Sequence, residues 1–298
     1  DVISKFHNHE SFNNQAMLRT ANILRKENKL SESILIYENL IKNPSPPLET
    51  YYFHSVALVQ NQDWERAINS LDVLINKIPN SAEVLNFVGY ILVDKSDRVE
   101  EGLSYIEKAI ELAPEDPLIN YERAYFLTEQ VYKLVDNPKT QIGEEDKIIG
   151  DMKFIELVNQ TENNYRKAIT NYGNMDLIGQ RIYPFGYLYT VFADIGYLNR
   201  ELAFFYKDRG QRKLFKSKLY KAINSFSRAI ENSPSKTQTE QIYMDREFEL
   251  LAIDELYLDR GNAYSWINKE WKKACNDWKK AKSYGNKEAQ TNYREWRC

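Results

Sequence analysis

The sequence predicts an all-α chain of about six antiparallel helical hairpins closed by a C-terminal helix. Three observations predict it. Small residues recur every 34 positions at Ala21, Ser55 and Gly89, and Ala124 follows 35 later, a period too long for one helix and right for a stacked helical pair. Six pairs of small or aliphatic residues stand seven apart, Ser33/Leu40, Ala67/Leu74, Gly102/Ala109, Thr161/Ala168, Ala222/Ala229 and Ala274/Ala281, each bracketing a large apolar residue: Tyr37, Leu71, Ile106, Tyr165, Phe226 and Trp278. Pro79, Pro114 and Pro234 stop three of the second helices, with Pro44 and Gly173 in the same role in two others.

The first two hairpins follow from Ala21 to Ser33 and Ser55 to Ala67, each 12 apart. In the third, apolar spacing at helical period runs from Glu83 to Tyr90 and again from Gly102 to Ala109, with the polar run Asp94-Lys95-Ser96-Asp97-Arg98 as the turn. Gly89 and Gly102 are poor helix formers, so their place inside this pattern predicts close helix-helix contact. The fourth hairpin separates Ala124 from Thr161 by 37. Both of its helices are expected to be lengthened, with residues 134–143 as a loop at the far end and 137–143 as its mobile tip. In the fifth, Ala203 and Ala222 are 19 apart, a smaller extension. Its first helix is expected to begin soon after Pro184, and that of the sixth hairpin near Glu240. Gly285 then turns the chain into the closing helix. The expected divisions are an N-terminal extension over 1–13, a regular array over 14–130, overgrown hairpins over 131–284 and a capping helix over 285–298.

The period of 34 and the small-x-x-x-large pattern resemble the tetratricopeptide repeat, from about Asn14 to the end of the chain. The closing segment, Ala274-Cys275 through Gly285 to Cys298, resembles that of tetratricopeptide proteins common in Bacteroidota. The resemblance implies a right-handed α-α superhelix whose first helices line a concave groove that holds a protein or peptide segment. By register the groove residues are Asn22, Tyr52, Asn86, Tyr90, Tyr121, Tyr125, Arg200, Phe204 and Asn262. Asn brackets a backbone amide with a donor and an acceptor, and Tyr offers a flat contact with a polar tip. Several of these Tyr fit equally as packing between repeats. The family's two-carboxylate clamp needs cations where this chain has Leu18, Glu83 and Phe87, so that pattern is not met.

Other constellations have bland explanations. His7 and His9 with Glu10 sit at a terminus, short of the four ligands of a structural metal site. Glu144, Glu145 and Asp146 open a helix, where its dipole favours negative charge. The run from Tyr183 to Phe192 is either an exposed interface or filling against the long fourth hairpin. Asn159-Gln160-Thr161 fits a glycosylation sequon, a match expected by chance in an Asn-rich chain. Neither a phosphate loop nor a nucleophile elbow occurs, and no cofactor is expected.

With 43% hydrophobic and 13% aromatic residues, including 21 Tyr, the chain has the composition of a folded protein. A formal net charge of −3 with cations and carboxylates interspersed excludes nucleic acid as an expected partner. No run of 18 apolar residues exists to span a membrane. The chain begins Asp1-Val2-Ile3, as expected of a trimmed chain or of a mature protein whose leader is gone.

The two cysteines, Cys275 and Cys298, lie ten residues before and thirteen after Gly285. An antiparallel turn at Gly285 brings them within about a helical turn of the same level, at ~1.5 Å per residue. A disulfide there implies an oxidising compartment, periplasmic or secreted. The alternative is two unrelated thiols, Cys275 filling a small core slot, and a cytoplasmic protein. The expected function is a non-enzymatic scaffold that binds a protein or peptide in its groove or on its extended fourth and fifth hairpins. Two other expectations stand beside it: an enzyme or enzyme subunit with a carboxylate site in 136–151, and a structural spacer of an envelope-associated assembly.

Overall fold

The computed structural model describes residues 2–96, 98–136, 144–175, 186–234 and 252–298, with side chains from residue 13 onward in the first helix and from 152 onward in the eighth. The described residues contain thirteen α-helices and no strand. They are α1 (Val2–Lys26), α2 (Leu30–Ile41), α3 (Leu48–Gln60), α4 (Trp64–Lys77), α5 (Ala82–Tyr90), α6 (Val99–Leu112), α7 (Pro117–Val135), α8 (Glu144–Asn174), α9 (Tyr187–Asp208), α10 (Arg212–Glu231), α11 (Ile253–Ser265), α12 (Trp271–Ser283) and α13 (Lys287–Glu295). Six hairpins and a closing helix account for all of them, as the spacing predicts. The predicted tip at 137–143 and the aromatics Tyr183 and Phe185 lie outside the described residues; the expected loop yields Leu134 and Val135 to α7, and the first helix of the sixth hairpin begins at Ile253, after extended Ala252, rather than near Glu240.

The described residues divide into two compact units, one up to Ile119 and the other from Asn120 onward. In the first, Tyr37 and Leu71 are fully buried at the centres of their pairs, among Ala21, Ala57, Leu58, Ala67 and Leu74. Each such side chain contributes about 1.5–3 kcal/mol by leaving water. In the third hairpin a Cβ on Gly89 would lie 2.5 Å from Ile106 Cγ1 and 2.8 Å from the Gly102 carbonyl oxygen, and one on Gly102 would lie 2.7 Å from the Gly89 carbonyl. The two helices cross backbone to backbone, so both glycines are there for room, as their poor propensity suggests. The turn after α5 is wider than the polar run predicts. Residues Ile91–Lys95 wind as a π-helix, and Leu92 O accepts the Arg98 amide at 2.9 Å.

The second unit holds the overgrown hairpins. Helices α7 to α10 have 19, 31, 22 and 20 residues, against 12 to 14 in α2, α3, α4 and α6. Tyr165, Phe226 and Trp278 are buried in it as the central residues of their pairs. The small residue facing Phe226 is Gly196, where a Cβ would meet the ring at 2.5 Å, while Ala203 packs with Leu219 and Ile223. The fifth hairpin is therefore longer than the Ala203 alignment implies: Gly196 precedes Ala222 by 26 positions. Ala203 keeps the right face because it lies seven residues, nearly two turns, beyond Gly196. The described part of the aromatic run is filling. Tyr187 packs edge-on against Tyr121 at 6.0 Å, and Tyr187, Tyr189 and Phe192 are buried.

Gly285, at φ +100°, makes the predicted turn, and Asn286 caps α13 by accepting the Ala289 amide at 2.9 Å. Cys275 on α12 and Cys298 beyond α13 are joined in a disulfide with Cα atoms 5.5 Å apart.

Candidate functional site

Within the second unit, α7, α8 and α9 enclose a cleft of about 300 Å3 lined by Tyr125, Thr128, Glu129, Tyr132, Asp136, Tyr165, Asp194, Tyr197, Arg200 and Glu201. Helical spacing builds it. Tyr125, Thr128, Glu129 and Tyr132 stand at i, i+3, i+4 and i+7 on one face of α7, and Asp194, Tyr197, Arg200 and Glu201 at i, i+3, i+6 and i+7 on one face of α9. Tyr165 closes the floor from α8, its hydroxyl 3.1 Å from Thr128 Oγ1, which itself donates to Ala124 O at 2.9 Å.

Asp194 accepts the Tyr121 hydroxyl at 2.8 Å. Burial pushes its carboxyl up to about 7, the phenol's hydrogen bond opposes that rise, and Glu129 adds to it. Burial likewise lifts the phenols of Tyr121, Tyr132, Tyr165 and Tyr197 above their ordinary range, so they stay protonated. On the wall, Arg200 donates from Nε and a terminal nitrogen to Glu201 Oε1 at 2.9 and 2.8 Å, and from the other terminal nitrogen to Asp259 Oδ1 at 2.5 Å. Its guanidinium lies 4.9 Å from the Tyr197 ring centroid. Burial opposes the charge, but Asp259 and Glu201 hold it on. Apart from Asp194, whose carboxyl burial holds protonated, three carboxylates line the cleft, Glu129, Asp136 and Glu201, and the one guanidinium is already shared between Glu201 and Asp259. The cleft is electronegative and walled by aromatic faces.

Of the residues predicted by register, Tyr125 and Arg200 line this cleft, and buried Tyr121 stands behind it holding Asp194. Phe204, farther along α9, packs edge-on against Trp266 at 5.6 Å. Asn262 serves its own hairpin: its Oδ1 accepts from Trp278 Nε1 at 2.9 Å and from Asn292 Nδ2 at 3.0 Å. Asn22, in the first unit, does the same, accepting the Tyr37 hydroxyl at 2.8 Å. In both hairpins the Asn follows the small residue and meets the polar tip of the central aromatic. In the first unit Tyr52 is half-buried, 5.6 Å from the Phe87 ring, Asn86 is buried, and Tyr90 is half-buried beside Lys95.

Sequence reasoning missed Asp194, Tyr132, Tyr197 and Glu201. The signal for Asp194 was a single carboxylate in the apolar run Phe192-Ala193-Asp194-Ile195-Gly196, where a charge is costly without a partner. Among the described residues no group of His, Cys, Asp and Glu is disposed to hold a metal, and no helix is long and apolar enough to cross a membrane. The side chains of Glu144, Glu145, Asp146 and Asp151, and of His7, His9 and Glu10, lie outside the described residues.

No family model matches the chain. Over 103 residues, 35% of this chain, it is 29% identical to the probable UDP-N-acetylglucosamine–peptide N-acetylglucosaminyltransferase SPINDLY of Solanum lycopersicum, and the match spans 11% of that protein's length. Among solved structures it is similar to MamA MSR-1 C2, with 13% identity, a TM-score of 0.45 and coverage of 73% of this chain and 98% of the other. YrrB, described as a tetratricopeptide protein with an unusual peptide-binding site, gives 15%, 0.43, 81% and 97% in the same order. A tetratricopeptide repeat protein from Parabacteroides merdae gives 13%, 0.42, 95% and 98%.

Proposed function

We propose that this chain of tetratricopeptide-type hairpins is a non-enzymatic scaffold that holds a segment of a partner protein, and that the cleft of the second unit receives a Lys or Arg side chain from it. The observation that carries this reading is the chemistry of the cleft wall. Aromatic faces and an excess of carboxylates attract a cation by the ring quadrupole and by charge, each more strongly where water is partly excluded. The volume suits one long side chain. The exposed Glu129 and Asp136 stand at the mouth, where they steer an incoming cation, and the phenols offer polar tips to the segment's backbone. The disulfide supports an oxidising location, periplasmic or extracellular.

A positional-scanning peptide array probed with the full chain tests the reading. Bound peptides should be enriched in Lys or Arg at one fixed position. The double substitution Glu129→Gln/Asp136→Asn should weaken them by about 1 kcal/mol or more, since each rim carboxylate contributes modestly. Tyr132→Ala should cost about 1 to 2 kcal/mol through the lost cation–π face. Enrichment of acidic peptides, or affinities that these substitutions leave unchanged, would remove the cleft from the binding role.

A further inference from the structure

The second unit carries another surface of opposite character, at the hairpin ends where α9 turns into α10 and α11 into α12. The two turns are neighbours. The Trp266 ring, in the second, stands edge-on to Phe204 at 5.6 Å and Phe215 at 6.3 Å, which flank the first. The ammonium of Lys207 sits 3.9 Å from the Trp266 ring centroid, and the guanidinium of Arg209 lies 3.5 Å from that of Phe205. Around these rings the charge is strongly one-sided. Residues 207–216 and 266–273 hold eight cations, Lys207, Arg209, Arg212, Lys213, Lys216, Lys269, Lys272 and Lys273, against two acids, Asp208 and Glu270, in a chain whose net charge is −3. All eight cations are exposed, and Glu270 is already taken by Lys273 at 3.0 Å. Large apolar side chains stand open among them: Leu214 at 43%, Trp266 at 46% and Trp271 at 49% exposure.

We infer that this basic, tryptophan-bearing end docks on an anionic lipid surface. Charge complementarity calls for an anionic partner, and each Lys or Arg brought near an anionic leaflet contributes about 1 kcal/mol. The apolar residues decide which anion. A nucleic-acid backbone has no apolar layer to take Leu214 and Trp271, whereas a bilayer has one just below its headgroups, the depth at which tryptophan is enriched. The charged heads of Lys207 and Lys272 rest on the exposed Trp266 and Trp271 rings, 3.9 and 5.9 Å from their centroids, and side chains of this length can turn their heads to headgroups while their methylenes stay on apolar surface. None of the residues of this surface lines the cleft.

The test is co-sedimentation of the full chain with phosphatidylcholine vesicles, with and without one third phosphatidylglycerol. Binding is expected to the anionic vesicles alone, to weaken with added salt, and to shift tryptophan emission to the blue. Lys213→Gln/Lys216→Gln should lower partitioning about fivefold for each charge removed. Trp271→Ala, at a position too exposed to endanger the fold, should lower it further and remove part of the blue shift. Circular dichroism melts identical to the parent's exclude misfolding. Equal binding to neutral and anionic vesicles, indifference to all three substitutions, or displacement of the chain from vesicles by a duplex DNA oligonucleotide at equal phosphate would each overturn the proposal.

Discussion

His54 and Asp194 are each held neutral by burial, and they pull stability in opposite directions as pH changes. The His54 ring makes a 2.7 Å hydrogen bond through Nδ1 to Ser70, and burial, aided by Arg66, lowers its pKa to about 4. Below the ordinary value of 6.5 the unfolded chain takes up a proton that the folded one refuses, so stability falls as pH drops from 6.5 toward 4. Asp194, raised from 3.8 to about 7, behaves inversely. Its folded form keeps a proton that the unfolded form has lost, so stability falls as pH rises from 3.8 toward 7. Each effect is on the order of 3 to 4 kcal/mol. In the parent protein the two largely cancel over their shared window. His54→Gln should therefore give a melting temperature that falls with rising pH, and Asp194→Asn one that rises with it. Parallel profiles for the two variants would show that neither shift operates. The sequence announces neither residue's state. His54 reads only as an isolated histidine, and Asp194 as a break in an apolar run, because burial is set by helices distant along the chain.

At the scale of elements, the hairpins were legible because steric need leaves a periodic trace. A large residue in the second helix requires a small one opposite, and Tyr37, Ile106 and Trp278 each have theirs near the expected distance. The fifth hairpin misled for the same reason: Gly196 and Ala203 are both small and both on the inner face, and only contact distinguishes them. Gly89→Ala, Gly196→Ala and Gly261→Ala should each destabilise by about 1 to 3 kcal/mol, overpacking outweighing the gain in helix propensity. Gly173→Ala, with nothing within 4 Å of the new Cβ, should be neutral or stabilising by up to about 1 kcal/mol. Chemical denaturation of the four variants separates the cases, and a stabilised Gly196→Ala would contradict the packing described. Cys275→Ser/Cys298→Ser should cost about 3 kcal/mol, the chain-entropy value for a loop of this length. Hydrogen exchange should show the loss first in α13, which is otherwise held to the last hairpin by Ala289, Tyr293, the Trp296 ring against Trp278, and the bonds from Asn292 to Asn262 and from Asn286 to Asp254.

At the scale of the molecule, the groove register found two of the cleft's residues, Tyr125 and Arg200, and missed the others because the cleft is made by helices longer than the repeat. A register carried over from regular hairpins marks which face looks inward, and says nothing of how far that face extends. Limited binding data would show the same division: peptides that respond to Tyr132→Ala but not to Asn22→Ala would place recognition on the added turns. Asn22→Ala is expected to act on stability, by about 1 kcal/mol through the lost bond to Tyr37, and to leave peptide affinity unchanged. The extra length in the fifth hairpin, Gly196 to Ala222 at 26 positions against 12 in the regular ones, amounts to seven residues for each helix. Seven residues rotate a helix through about 700°, roughly 20° short of two revolutions. Growth in steps of seven therefore leaves a hairpin in phase with its neighbours, and the stack does not register the change. Such a chain can acquire new walls by whole-turn duplication without rebuilding any core contact, whereas an insertion of five would swing the inner face through about half a revolution and unmake it.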